Sequence, residues 1–124
     1  MHGAVAAHHL GENESLIQEV KRDFEASPVS DKLKALLAIA GKVQKGGKHV
    51  TAEGIARARR SGATDKEIHD TVLIAAAFCM YNRYVDGLAT WAPTEPEVYS
   101  EGGKRLAEPG YVYSTDDLSA NAGG

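Results

Sequence analysis

Residues 64–88 read TDKEIHDTVLIAAAFCMYNRYVDGL. The opening Thr64-Asp65-Lys66-Glu67 has the pattern of a capping box. In that motif the threonine hydroxyl accepts from the backbone N–H three residues on, and the glutamate reaches back to the threonine N–H. It predicts a helix from Asp65 to about Leu88, the longest in the chain. Between residues 71 and 81 this helix is apolar on almost every side. A helix that is hydrophobic all round has to be buried all round, at the centre of a bundle or in a subunit interface.

Outward from this segment, turn residues mark off further helices. Residues 2–10 are Ala-rich and end at Gly11, as the tail of a helix with a glycine cap does. No capping residue precedes them, so the start of this helix is expected upstream of Met1. Asn13 or Ser15 caps a second helix to about Phe24, with Leu16, Ile17, Val20 and Phe24 as its apolar stripe. Ser27-Pro28 breaks it. A third helix starts at Ser30 or Asp31 and stops at Gly46-Gly47. Its buried face is predicted to be Leu33, Leu36, Leu37, Ile39, Ala40 and Val43.

Thr51 caps a short helix over residues 52–61, which Gly62 ends. Thr94-Glu95-Pro96-Glu97 reads as a second capping box, opening a last helix to about Ala107. No strand-like alternation exceeds four residues. The prediction is an all-α protein: one helical domain over residues 1–113 and a loose, polar tail over 114–124.

Composition narrows the function classes. The chain has 124 residues, enough for one domain. Hydrophobic residues at 43% and charged residues at 25% argue against wholesale disorder. A net charge of -3 gives no reason to expect nucleic acid or an anionic membrane as partner. Lys42, Lys45, Lys48, Arg57, Arg59 and Arg60 make the middle locally basic. The helix after Gly62, however, opens with Asp65, Glu67 and Asp70 and is then apolar, the wrong surface for a major groove. The most apolar run, residues 72–81, is about half of what a bilayer span needs. Cys79 is the sole cysteine, so no disulfide closes within the chain and a cytoplasmic setting is expected.

A family resemblance enters at the end of the long helix. Phe78 through Leu88 resembles the F-x-x-x-N-R-x-x-D-G-L segment of the peroxidase-related branch of the carboxymuconolactone decarboxylase/alkyl hydroperoxidase D (AhpD) family. Gly62 through Ile68 resembles that branch's G-x-[ST]-[DE]-x-E-I turn. Trp91-Ala92-Pro93, Tyr99, Gly103 and Gly110-Tyr111 resemble its tail. The resemblance implies an AhpD-like multi-helix bundle that forms a homo-oligomer. It also implies a thiol peroxidase acting on small hydroperoxides without a bound cofactor, or, in the family's other activity, a lactone decarboxylase using a histidine base.

Family peroxidases carry a C-x-x-C-x-x-x-H motif. His2 and the residues after it resemble the stretch that follows the cysteine pair. The resemblance therefore casts His2 as the motif histidine and places both cysteines, and a relay glutamate, before Met1. Peroxide reduction by this route needs one thiolate to attack and a second thiol to resolve the sulfenic acid. With Cys79 alone, the expected activity is impaired or absent.

The candidate site residues are thus few. His2 is a catalytic candidate by resemblance. Cys79 is a substitute nucleophile, set against a reading as a buried core thiol whose burial suppresses reactivity. Asn82, Arg83 and Asp86 either line a cleft or lock helices together, with Arg83 and Asp86 close enough to pair. His2 and His9 are two turns apart, too far to share a metal by themselves, and no H-E-x-x-H spacing occurs. No metal site is predicted.

Overall fold

The computed structural model describes residues 2–110, and every described element is helical. The tail expected over 114–124 lies outside the described residues. Six α-helices follow in order: α1 (His2–Leu10), α2 (Ser15–Asp23), α3 (Asp31–Lys45), α4 (Ala52–Arg60), α5 (Asp65–Gly87) and α6 (Pro96–Ala107). Short 3-10 turns follow α1 and α3, at Gly11–Asn13 and Gly47–His49.

The caps explain most of the boundaries. Ser30 caps α3 by accepting from Leu33 N–H at 3.2 Å, and Thr51 caps α4 by accepting from Gly54 N–H at 3.1 Å. At α5 both halves of the capping box form. Glu67 N–H donates to the Thr64 hydroxyl oxygen at 3.1 Å, and Thr64 N–H donates to the Glu67 carboxylate at 2.8 Å. The second box does not form. The N-cap of α6 is Glu95, with no side-chain cap bond, and Pro96 is the first helical residue. Proline has no N–H to satisfy and its fixed φ suits that first position. It also forces the residue before it to be extended, so the cap falls on Glu95 instead of Thr94.

The chain divides into two compact units. One comprises residues up to Gln18 and those from Pro93 on; the other is Glu19–Ala92. In the first, α1 packs on α6. The contact is close because the side chains are small: Ala4 lies against the backbone of buried Gly103. Leu106 and Ala107 are the other buried residues of α6. Tyr99 braces the entry to α6 by donating its hydroxyl to the Pro93 carbonyl at 2.5 Å.

In the second unit, α3 packs on α5 and α4. Lys32 meets Glu67 near the starts of α3 and α5, while Gln44 and Asn82 line one cleft near their ends. The two helices therefore run in the same direction, and α4 carries the chain back between them. Their shared core is Ala35, Ile39 and Val43 of α3, Ala58 of α4, Ala63 in the turn and Ile68 of α5. Leu33, predicted to be buried, is 41% exposed, and Ala35 takes the inner position at 1%. Apolar spacing alone did not say which side of α3 its neighbours would occupy.

The largest departure concerns α5. Only Ile68 of this helix is buried. Toward α3 it presents Val72 and Ala75, packed against the core. On the other side Leu73, Ile74, Met80, Tyr81 and Tyr84 are all more than half exposed. The expectation was a helix at the centre of a bundle or in a subunit interface; among the described residues of its own unit, α5 has its inner side against the core and these outer side chains exposed.

α5 ends in a Schellman-type turn. Thr90 N–H donates to the Val85 carbonyl and Ala89 N–H to the Asp86 carbonyl, each at 3.0 Å. That turn needs a left-handed residue, and Ala89 holds φ 50. Replacing Ala89 by glycine is expected to stabilise the fold by about 1 kcal/mol, because an L side chain is disfavoured there by roughly that amount; urea denaturation measures it. In the other unit, a Cβ added at Gly103 would lie 2.8 Å from the Ala4 carbonyl carbon. Gly103→Ala should therefore cost about 1–3 kcal/mol despite alanine's better helix propensity. A melting temperature at or above that of the wild type would contradict the close α1–α6 contact.

Candidate functional site

The second unit contains a cleft of about 360 Å³. Val20 and Phe24 form one wall, from α2 and the residue after it. α3 supplies Leu37, Ala40, Gly41 and Gln44, and α5 supplies Ala75, Phe78, Cys79 and Asn82. The cavity exists because small residues face it. Nothing lies within 4 Å of where a Cβ on Gly41 would sit. Ala40 and Ala75 widen the same gap.

The lining is apolar apart from the Cys79 thiol and the amides of Gln44 and Asn82. Among the described residues that line it there is no histidine, carboxylate, lysine or arginine. Such a cavity can hold a small apolar molecule with one or two hydrogen-bonding groups, the usual character of small-ligand sites. By itself it offers no general base.

Cys79 is half-buried. The sequence favoured a sealed core thiol; the structure instead sets Cys79 on the cleft wall. Asn82, one turn on, lines the same cavity. Arg83 and Asp86 are exposed and do not line it, and no ion pair joins them among the described residues. His2, at the exposed first position of α1, belongs to the other unit. Among the described residues, no three His, Cys, Asp or Glu side chains converge on a potential metal site. No described helix is long and apolar enough to cross a membrane.

Ion pairs hold the segments that frame the cleft. Arg57 of α4 grips Glu25 through two bonds, at 2.9 and 3.0 Å, and Glu25 adjoins the cleft residue Phe24. This bidentate fork fixes orientation as well as position. Lys32 and Glu67 join α3 to α5 at 2.8 Å. Lys66 pairs with Asp70 one turn along α5. Arg59 and Arg60, part of the basic stretch, pair with Asp65 and Glu53. Hydrogen bonding from Arg57 holds the Glu25 carboxyl below its usual range. Lys32 and then the Thr64 backbone do the same for Glu67, and Lys66 for Asp70.

The sequence pointed to Cys79 and Asn82 but not to Val20, Phe24, Leu37, Gly41 or Gln44. One signal was present: Ala40-Gly41 in mid-helix, where a core helix would normally carry larger side chains. Comparison of the chain with protein-family models, with curated proteins and with solved structures gave no match.

The lowered carboxylates set an acid limit. A carboxyl whose folded pKa lies below its unfolded value stabilises the fold above the unfolded pKa and loses that contribution as pH falls through the folded one. Stability should therefore decline as the pH drops below about 4, the ordinary carboxylate range. The decline is modest, because these groups are exposed to solvent. Glu25→Gln should flatten part of it, as read from urea midpoints across pH. An identical acid limb in Glu25→Gln would show that the Arg57 clamp adds nothing.

Proposed function

We propose that this chain is an AhpD-like, peroxidase-related helical protein. Its α3–α5 cleft takes up a small apolar molecule of the size of an organic hydroperoxide, and its single thiol does not sustain peroxide turnover. The carrying observation is the cleft itself: apolar walls, two amides, one accessible sulfur and no base. The motif at residues 78–88 supports the same reading, since it begins at a cleft residue and includes Cys79 and Asn82.

The chemistry follows from the count of thiols. A Cys79 thiolate attacking R–OOH takes the terminal OH; the O–O bond breaks, the departing alkoxide takes a proton from water and leaves as R–OH, and the sulfur is oxidised to the sulfenic acid. Return to the thiol through an internal disulfide needs a second cysteine, and this sequence contains none. Gln44 and Asn82 can hydrogen-bond the oxygen atoms of a bound molecule but cannot act as acid or base near neutral pH. The family's lactone decarboxylase activity calls for a histidine base, and no histidine lines this cleft. A non-catalytic binding role for the same cavity is favoured by a lining without histidine, carboxylate, lysine or arginine.

The test separates uptake from turnover. Gly41→Leu should fold well, because its site faces open space and leucine is the better helix former. It should fill the cavity and weaken binding of an apolar fluorescent probe by about tenfold or more. Wild-type protein with cumene hydroperoxide and a dithiol should consume peroxide no faster than buffer, while mass spectrometry finds at most one added oxygen, absent in Cys79→Ser. Sustained turnover that Cys79→Ser abolishes would sink the claim about the lone thiol. Probe binding indifferent to Gly41→Leu would sink the claim about the cleft.

A further inference from the structure

The cleft between α3 and α5 has a direction. Both helices run the same way, so progress along one matches progress along the other. Leu37 and Ala75 line the cleft toward the starts of their helices, and Gln44 and Asn82 line it toward the ends. On each helix the two positions are seven residues apart, about 10 Å of helix axis. One end of the cleft is hydrocarbon only. The other carries two amides, each with donor hydrogens and an acceptor oxygen. Burial follows the same gradient: Leu37 and Ala75 are half-buried, whereas Gln44 and Asn82 are exposed. The amide end is therefore the mouth, and the hydrocarbon end is the floor.

No charged side chain lines the cleft among the described residues. Lys45 and Arg83 each follow one of the amide residues in sequence. A further 100° or so of helical rotation carries each off the cleft face, and neither lines it. A carboxylate brought to the amide end would give up water without gaining a cation from the lining, and it could donate to neither amide oxygen. A hydroxyl or a primary amide both donates and accepts, so it can satisfy the oxygen of one lining amide and the N–H of the other.

We infer that the cleft selects an uncharged straight-chain amphiphile of about eight carbons, the number that spans it at ordinary bond lengths. The tail lies inward, at Leu37 and Ala75, and a hydroxyl or amide head lies at Gln44 and Asn82. Cys79, three residues short of Asn82 on α5, flanks the carbons next to the head. This selectivity rests on the reading of the cleft as an uptake site and owes nothing to peroxide chemistry.

Displacement of the fluorescent probe by 1-alkanols tests it. Affinity should rise roughly fourfold for each added carbon up to 1-octanol, the gain expected from burying one methylene, and should rise no further beyond it. At neutral pH octanoate should bind about tenfold or more weakly than 1-octanol or octanamide. Gln44→Lys puts a cation at the head end and should bring octanoate level with 1-octanol. Asn82→Lys serves the same purpose if Gln44→Lys lowers helix content by circular dichroism. Saturating 1-octanol should slow labelling of Cys79 by a water-soluble thiol reagent about tenfold, since labelling depends on access. Absent displacement, or displacement that Gly41→Leu leaves unchanged, would overturn the uptake reading and this selectivity with it. Displacement that Gly41→Leu weakens, but with octanoate equal to 1-octanol or with affinity still climbing at 1-dodecanol, would overturn the selectivity alone. Labelling of Cys79 at one rate with and without 1-octanol would overturn the assigned pose.

Discussion

The second unit depends on the contact between α3 and α5. Both helices are apolar, they run in the same direction, and α4 must carry the chain back between their ends. That arrangement places Ala35, Ile39 and Val43 opposite Ala58, Ala63 and Ile68, where small side chains let the backbones approach. Toward the far ends of the two helices the same small residues produce the opposite result. Ala40, Gly41 and Ala75 no longer fill the space between them, and a cavity opens. One packing choice thus makes both the core and the candidate site. It explains why the cavity is apolar and why its polar groups are confined to Cys79, Gln44 and Asn82.

Much of the helix layout was legible in the residues. Thr51 and Thr64, with Glu67, mark the starts of α4 and α5, because side-chain caps are local and need no tertiary information. Thr94 misled for a reason equally local: Pro96 claims the first helical position and moves the cap to Glu95. Less legible was the side of a helix on which its neighbours lie. Spacing identifies Leu33 and Ile39 as apolar, but only packing decides that Ala35 and not Leu33 faces inward. The same limit applies to α5, where an all-apolar run reads as wholly enclosed although Leu73, Ile74, Met80 and Tyr81 are more than half exposed.

The site was legible in part. Cys79 and Asn82 drew notice as unusual residues in an apolar helix. Their partners did not, because the cleft gathers residues 20–24, 37–44 and 75–82 from segments far apart in sequence. No periodicity links such segments. The resemblance to peroxidase-related proteins concerns a sequence motif and a histidine in the other unit. The cavity stands on observations within Glu19–Ala92 alone.

The pairing of α1 with α6 has a consequence for the order in which the molecule assembles. α3, α4 and α5 are neighbours along the chain and can meet after closing only short loops. α1 and α6 meet across some ninety intervening residues, and that ring costs more chain entropy to close. Their closest approach, Ala4 against Gly103, is between small residues. The terminal helices therefore dock last on the way to the native state and part first on the way out. Their amide protons should exchange with solvent well before those of α3.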